Sequence, residues 1–144
     1  MAEATSKQIL FRVLMRDESD VAQARLRVRD LAAGRGLPAS AVEALATATS
    51  ELARNVLVHE SGGEISLGTI RRAGREGLVV IVRDSGPGIA DIEQAMRDGF
   101  STGTGLGLGL PSARRLVHEF EIQSLVSEGT TVMLTMWSDL RLQK

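Results

Sequence analysis

The chain contains no cysteine, and one tryptophan and three phenylalanines are its only aromatic residues. The absence of cysteine excludes a disulfide, a thiolate nucleophile and a zinc–thiolate site. So few aromatic rings argue against a base-stacking platform for single-stranded nucleic acid. The formal net charge is −1, so the chain has no strong field to attract nucleic acid or anionic lipid.

Long apolar runs are also absent. No run approaches the ~20 residues that a membrane-spanning helix needs. Residues 1–7 lack the basic segment and apolar stretch of a signal peptide. We therefore expect a cytoplasmic protein with neither a membrane nor a nucleic acid as partner. The length of 144 residues, with 43% hydrophobic and 24% charged residues, predicts one globular domain over residues 1–144.

Hydrophobic periodicity predicts strands that come mainly in hairpin pairs. The predicted strands cover 8–15, 64–70, 78–83, 120–126 and 130–137. Two helices are predicted to begin at Ser19-Asp20 and near Pro38, and two short ones to cover 91–97 and 111–118. Strands paired in this way favour an α+β fold, a two-layer sandwich with a mixed, mostly antiparallel sheet covered on one face by helices.

A glycine-rich segment, STGTGLGLGLP, occupies residues 101–111 and has glycine at every second position from 103 to 109. Such a loop lets the backbone approach a ligand closely, and Pro111 suits the first turn of a following helix. A helix N-terminus after a glycine loop is a favourable phosphate site. The segment is not a P-loop, because no Gly-Lys-Ser/Thr follows, and no strand leads into it as a Rossmann turn requires.

Glu51 and Asn55 lie one helical turn apart on the second predicted helix, so their side chains share one face. An asparagine oxygen is a hard ligand suited to Mg²⁺. A neighbouring carboxylate can take a proton from an attacking hydroxyl. The alternative is a solvated Glu/Asn pair on the helix surface.

Asp84 follows an almost wholly apolar strand and begins the run Asp-Ser-Gly-Pro-Gly. A half-buried carboxylate at this strand end can accept a hydrogen bond from an exocyclic amine such as that of adenine. The alternative is a plain reverse turn, which these residues also favour. Gly129-Thr130 opens the last predicted strand, where a hairpin glycine before a β-favouring threonine is the simpler interpretation.

Together, these four segments in this order resemble the Bergerat-fold (GHKL) ATP-binding family, which includes gyrase, MutL and the histidine kinases. The resemblance covers nearly the whole chain. It implies ATP and Mg²⁺ as cofactors, Asn55 as the metal ligand and Asp84 as the residue that recognises adenine. The cofactor-binding set that it implies is Asn55, Asp84, Gly86, Gly88, Ser101, Thr102, Gly103, Gly105, Leu106, Gly107, Leu108, Gly109 and Thr130.

Within that family, the segments 50–55, 84–92 and 98–102 are most similar to the small serine/threonine kinases of bacterial stress signalling. This resemblance implies phosphoryl transfer from ATP to STAS-domain scaffold and antagonist proteins of a stressosome, with Glu51 as the catalytic residue. The kinase would then leave and activate a PP2C-type phosphatase. The alternatives are an anti-sigma-factor kinase of the same fold, a nucleotide-gated binding module without catalysis, and an α+β domain with incidental glycines.

Overall fold

The computed structural model describes residues 4–59, 62–86, 96 and 110–141. Strand β1 (Thr5–Leu14) is followed by helices α1 (Glu18–Gly34) and α2 (Ala39–His59) and by the hairpin of β2 (Gly63–Arg72) and β3 (Arg75–Asp84). Helix α3 (Leu110–Leu116) then precedes the hairpin of β4 (Glu119–Leu125) and β5 (Gly129–Arg141). None of the helices in these ranges is both long enough and apolar enough to span a bilayer.

The five described strands form one sheet in the order β1-β2-β3-β5-β4, and each neighbouring pair is antiparallel. The predicted α+β fold with hairpin pairs is therefore confirmed. The order places β3 at the centre of the sheet, with β5 between it and the edge strand β4. The apolar run from which β3 was predicted thus lies in the central strand of the sheet, whose side chains are buried on both faces.

The described helices pack on one face of this sheet. Along β3, Leu78, Val80 and Val82 join the same core cluster as the buried residues of α1, α2 and α3. The intervening Val79 points to the opposite face, because successive strand residues alternate between faces. Helix α2 contributes Leu45, Leu52, Ala53 and Val56, all nearly inaccessible to solvent. Complete burial of such a leucine contributes about 1.5–3 kcal/mol.

Helix α1 begins at Glu18, before the Ser19-Asp20 pair predicted to cap it, and its cap is different. Asp17, rather than Ser19 or Asp20, is the N-cap, and its side chain accepts hydrogen bonds from the backbone N–H groups of both. The Asp20 carboxylate accepts in return from the backbone N–H of Asp17. This reciprocal arrangement satisfies donors that the first turn leaves unpaired, and it places acidic groups at the positive end of the helix dipole.

The turn between β2 and β3 is shorter than the gap between the predicted strands 64–70 and 78–83. Arg72 pairs directly with Arg75, so the turn consists of Ala73 and Gly74. Both have positive φ, 54° and 77°, as a tight two-residue hairpin turn of type I′ requires. Strand β3 therefore begins three residues earlier than predicted.

The face of the sheet opposite the helices has its own small cluster. Trp137 packs there with Ile70 and Val79, and Arg75 stacks over its ring at 4.5 Å from the centroid. The Glu119 carboxylate accepts a hydrogen bond from the indole Nε1 at 2.9 Å. These contacts bury the only tryptophan of the chain.

Candidate functional site

Four neighbouring strands bring one residue each to the same end of the sheet. The register pairs Gly63 of β2 with Asp84 of β3, Asp84 with Thr130 of β5, and Thr130 with Ser124 of β4. Asp84 and Thr130 lie two residues from Val82 and Val132, so they share the helix-covered face with those core residues. Two of the predicted site residues, Asp84 and Thr130, are thus direct cross-strand neighbours.

Asp84 is half-buried at the end of β3, and local hydrogen bonds fix the chain that follows it. Its Oδ1 accepts from the backbone N–H of Gly86 at 2.9 Å, which is the Asx turn expected of this residue type. The Ser85 N–H donates to the carbonyl of Gly62 at 3.1 Å. Residues 84–86, the described part of the predicted turn, therefore do form a turn. The Asp84 carboxylate also belongs to the row of polar residues that Asp84, Thr130 and Ser124 form at the sheet end.

Thr130 is almost fully buried, and its hydroxyl lies 2.8 Å from the Ser124 hydroxyl. The preceding Gly129 has φ +96°, and a Cβ there would run into the backbone carbonyl of Asp84. Glycine at this position therefore does more than close the hairpin. It lets β5 begin directly beside Asp84, which places Thr130 next to the carboxylate.

Helix α2 is seated on the same end of the sheet. Val56 approaches Gly63 so closely that a Cβ on that glycine would lie 2.7 Å from a Val56 methyl carbon. Glu51 and Asn55 are half-buried on this helix, next to the buried Leu52 and Val56. The glycine thus brings the helix that carries Glu51 and Asn55 down to the strand end that carries Asp84.

The donor atoms at this end of the sheet suit a magnesium nucleotide. The side-chain amide oxygen of Asn55 is a hard oxygen ligand of the kind that Mg²⁺ prefers. The described residues contain no cluster of three or more His, Cys, Asp or Glu that could hold a metal on its own. Mg²⁺ keeps waters and shares its coordination with substrate phosphates, so a single protein ligand such as Asn55 is compatible with it.

The predicted glycine lid lies outside the described residues. This applies to Gly88 and to Ser101, Thr102, Gly103, Gly105, Leu106, Gly107, Leu108 and Gly109, which stay predictions. Of the residues around this segment, Gly86 is described and buried, and Leu110, which begins α3, is buried in the core.

A cavity of about 380 Å³ lies beside the row of polar residues at the sheet end. The described residues around it are Met15, Arg16, Val56, Leu57 and Gly62. Asn55, Asp84 and Thr130 are not among them, so this cavity adjoins the predicted nucleotide site without coinciding with it.

Ser124 belongs to this site although it was not predicted as a site residue. Its hydroxyl contacts Thr130 and also donates to the Gly129 carbonyl at 3.1 Å. A serine within a predicted strand carries no local signal for such a role. The register between β4 and β5, which fixes it opposite Thr130, emerges only in the folded chain.

Comparison with known families identifies the family of this chain. Residues 14–136 match the family described as "Histidine kinase-like ATPase domain". The chain belongs to this family. The match extends from the end of β1 almost to the end of the sheet, so it includes every described element that forms the site, and it confirms the resemblance predicted from the four segments.

Curated relatives place the chain more closely within the family. It is 41% identical over 120 residues to "Serine/threonine-protein kinase RsbT" of Bacillus subtilis, a match that covers 83% of this chain and 90% of the relative. It is 33% identical over 95 residues to "Anti-sigma F factor" of Caldanaerobacter subterraneus, covering 63% of this chain and 66% of that protein. An "Anti-sigma F factor" of Geobacillus stearothermophilus is 35% identical over 61% of this chain and 64% of that protein.

The chain is therefore an RsbT-like member of the ATPase family. The predicted class of enzyme, an ATP-dependent serine/threonine kinase, agrees with the name of this relative and with the family.

Proposed function

We propose that this protein transfers the γ-phosphoryl group of ATP to a serine or threonine of STAS-domain proteins, the scaffold and antagonist components of a stressosome. Similarity to a protein named as a serine/threonine kinase, over 90% of that protein's length, supports the reaction class. One structural observation carries the proposal. Val56 seats α2 on Gly63, the cross-strand partner of Asp84, so residues suited to metal and to adenine share one end of the fold.

Different residues are proposed for nucleotide binding and for phosphoryl transfer. Asp84 accepts a hydrogen bond from the adenine amine, and Thr130 lines the same pocket beside it. Asn55 offers its side-chain oxygen as the ligand for Mg²⁺, which supplies charge neutralisation at the phosphates when the nucleotide is bound. The glycines at 103, 105, 107 and 109 are assigned to the phosphates through their backbone N–H groups.

Glu51 is the proposed catalytic residue. It lies one helical turn before Asn55 on the same face of α2, so a hydroxyl held near the metal site comes within reach of its carboxylate. Glu51 would orient the incoming hydroxyl and accept its proton as the hydroxyl oxygen bonds to the γ-phosphorus. The bond from that phosphorus to the β–γ bridging oxygen breaks in the same transfer, and ADP leaves. Because phosphoryl transfer depends mainly on positioning and charge neutralisation, these few groups suffice for the chemistry.

Partner exchange is the second part of the proposal. Once its STAS partners are phosphorylated, the kinase leaves them and activates a PP2C-type phosphatase by binding it. Similarity both to RsbT and to proteins named Anti-sigma F factor supports a partner-switching role, since the second name denotes action on another protein. The same similarity sustains the alternative, an anti-sigma-factor kinase that sequesters a sigma factor. The RsbT match covers more of the chain, 83% against 63%, and therefore favours the stressosome assignment.

Transfer of radiolabelled phosphate from Mg-ATP to purified STAS proteins tests the proposal. We expect label on a serine or threonine with the wild-type chain and at most about 1% of that rate with Asn55→Ala, because the metal loses its protein ligand. Arg54→Ala is the matched control, since Arg54 is the exposed neighbour on α2 and its ion pair with Glu18 is long, at 3.8 Å. Full transfer by Asn55→Ala would remove the metal assignment.

Binding assays separate the alternatives. Retention of a sigma factor in preference to STAS proteins and the phosphatase would favour the anti-sigma-factor kinase. Bound ATP that is neither hydrolysed nor transferred with any STAS partner would favour a nucleotide-gated binding module.

A further inference from the structure

Ser124 extends the row of polar residues at the sheet end on the side away from Asp84. It pairs with Thr130 across the β4–β5 ladder, while Thr130 pairs with Asp84 across the β3–β5 ladder. Ile122, two residues before Ser124, packs against the core beneath the helices. Strand alternation therefore puts Ser124 on the same face of the sheet as Thr130 and Asp84.

The two hydroxyl contacts of Ser124 favour one direction for the hydrogen bond to Thr130. The Ser124 Oγ donates to the carbonyl oxygen of Gly129 at 3.1 Å. A hydroxyl has one proton to donate and two lone pairs. Either hydroxyl could donate in the 2.8 Å contact between Ser124 and Thr130, but only donation by Thr130 satisfies both contacts of Ser124 at once. In that arrangement Thr130 presents lone pairs, and no proton, to any other group that approaches its Oγ1.

From this we infer that Ser124 is a positioning residue for purine selection, acting through Thr130. Beside the Asp84 carboxylate, an acceptor-only Thr130 makes this strand end a row of acceptors. In this inference Thr130, like Asp84, lies opposite position 6 of the purine. There, such a row accepts the exocyclic amine of adenine and opposes the carbonyl that hypoxanthine and guanine carry at the same position. The inference rests on the proposed function, in which Asp84 and Thr130 line the purine pocket.

Replacing Ser124 should alter purine selection, although the Ser124 side chain itself is not proposed to contact the nucleotide. In Ser124→Ala, the Thr130 proton is released and can be donated to the carbonyl of inosine triphosphate. We expect the preference for ATP over inosine triphosphate, measured as the ratio of kcat/KM values, to fall about fivefold, the equivalent of one neutral hydrogen bond of ~1 kcal/mol. The change should appear mainly as a lower KM for inosine triphosphate. Ser124→Thr keeps a hydroxyl and a β-favouring side chain, so it should restore the wild-type ratio.

Two further variants keep the test decisive if Ser124→Ala also loosens the β4–β5 hairpin. Gln123→Ala, an exposed neighbour on the other face of β4, should leave the ratio unchanged. In a Thr130→Val background, Ser124→Ala should produce no further change in the ratio, because the hydroxyl it acts through is gone. A purely structural role would lower kcat/KM for both nucleotides by the same factor and would overturn the inference.

Asp84→Asn distinguishes this inference from the proposed function. Unchanged ATP binding by Asp84→Asn would reject the purine pocket and with it both proposals. Weakened ATP binding by Asp84→Asn together with an unchanged nucleotide ratio in Ser124→Ala would reject the role of Ser124 alone.

Discussion

Arg72 and Glu119 form an ion pair at 3.0 Å, although β3 and β5 separate their strands in the sheet. Trp137 of β5 lies between them. Its Nε1 donates to the same Glu119 carboxylate, and the Arg72 guanidinium lies 5.1 Å from the centroid of its ring. The pair thus ties β2 to β4 across the face opposite the helices, with the indole packed underneath.

Glu119 should make the stability of the protein depend on pH. Burial raises the pKa of this carboxyl, but hydrogen bonds from Arg72 and Trp137 and the charges of Arg72 and Arg75 outweigh it, so the pKa lies below its ordinary value of 4.5. A lowered folded-state pKa stabilises the protein above the unfolded value, and this contribution is lost as the pH falls through the folded value. We therefore expect the free energy of unfolding to decline below about pH 4.5.

Glu119→Gln isolates this contribution. We expect the free energy of unfolding to be about 1 kcal/mol lower than that of the wild type at pH 7, and to decline less as the pH falls. The reason is that glutamine has the shape of glutamate without its charge. Urea unfolding followed by circular dichroism measures both, without relying on the fluorescence of the neighbouring Trp137. Glu121→Gln, the exposed glutamate two residues along β4, is the control. Equal pH profiles for the two variants would contradict the role given to the Arg72–Glu119 pair.

Ala73 is the strained member of the β2–β3 turn. Its φ of 54° lies in the left-handed region, which is unfavourable for alanine and better tolerated by asparagine. Ala73→Asn creates the Asn-Gly pair preferred in two-residue hairpins and should raise the free energy of unfolding by about 0.5–1 kcal/mol. The same substitution at the exposed Ala22 of α1 should be destabilising, because asparagine is a poorer helix former. A destabilised Ala73→Asn variant would show that the turn has another geometry.

Gly129 and Gly74 offer a matched pair of glycines. Both have positive φ, +96° and +77°, but a Cβ at Gly129 would collide with the Asp84 carbonyl, whereas one at Gly74 would meet nothing within 4 Å. Gly74→Ala should therefore cost about 1 kcal/mol of backbone strain, and Gly129→Ala about 3 kcal/mol or more. Thermal unfolding measures the difference. ATP affinity should fall only in Gly129→Ala, because only there is Asp84 displaced.

Local sequence signals predicted the elements and the strand pairs, but not the contacts between distant strands. The apolar run of β3 and the turn formers after it were sufficient to place Asp84 at a strand end. Ser124 and Glu119 acquire their partners from the register of β4 against β5 and from the order of the whole sheet. No periodicity within β4 distinguishes these two residues from other polar strand residues.

The start of α1 shows the same limit of prediction from local sequence. Asp17, Ser19 and Asp20 are all favourable capping residues, so composition alone could not separate them, and the prediction of Ser19-Asp20 as the cap was wrong. The end of β1 at Leu14 leaves a short connection, and Asp17 is the residue whose extended backbone precedes the first turn. The predictions for residues 101–109 rest on the family resemblance and stay predictions.

Asp84→Asn tests the adenine assignment. The amide keeps one acceptor oxygen, but it replaces the other with a donor and removes the charge that strengthens the bond from the adenine amine. We expect ATP affinity, measured by titration calorimetry, to fall at least about tenfold, or ~1.4 kcal/mol. Asp30→Asn, an exposed carboxylate on α1, is the control. Equal ATP affinity in the two variants would reject Asp84 as the purine ligand.

Glu51→Gln tests the catalytic assignment separately from binding. Glutamine preserves size and hydrogen bonding but cannot accept the proton of the attacking hydroxyl, so we expect kcat for phosphoryl transfer to fall about 10²–10⁴-fold. ATP affinity should change little, because Glu51 acts on the incoming hydroxyl. Glu43→Gln is the matched control on α2, where Glu43 is exposed and pairs with Arg29 at 2.8 Å. A Glu51→Gln variant that lost ATP affinity while keeping kcat would instead make Glu51 part of the nucleotide and metal site.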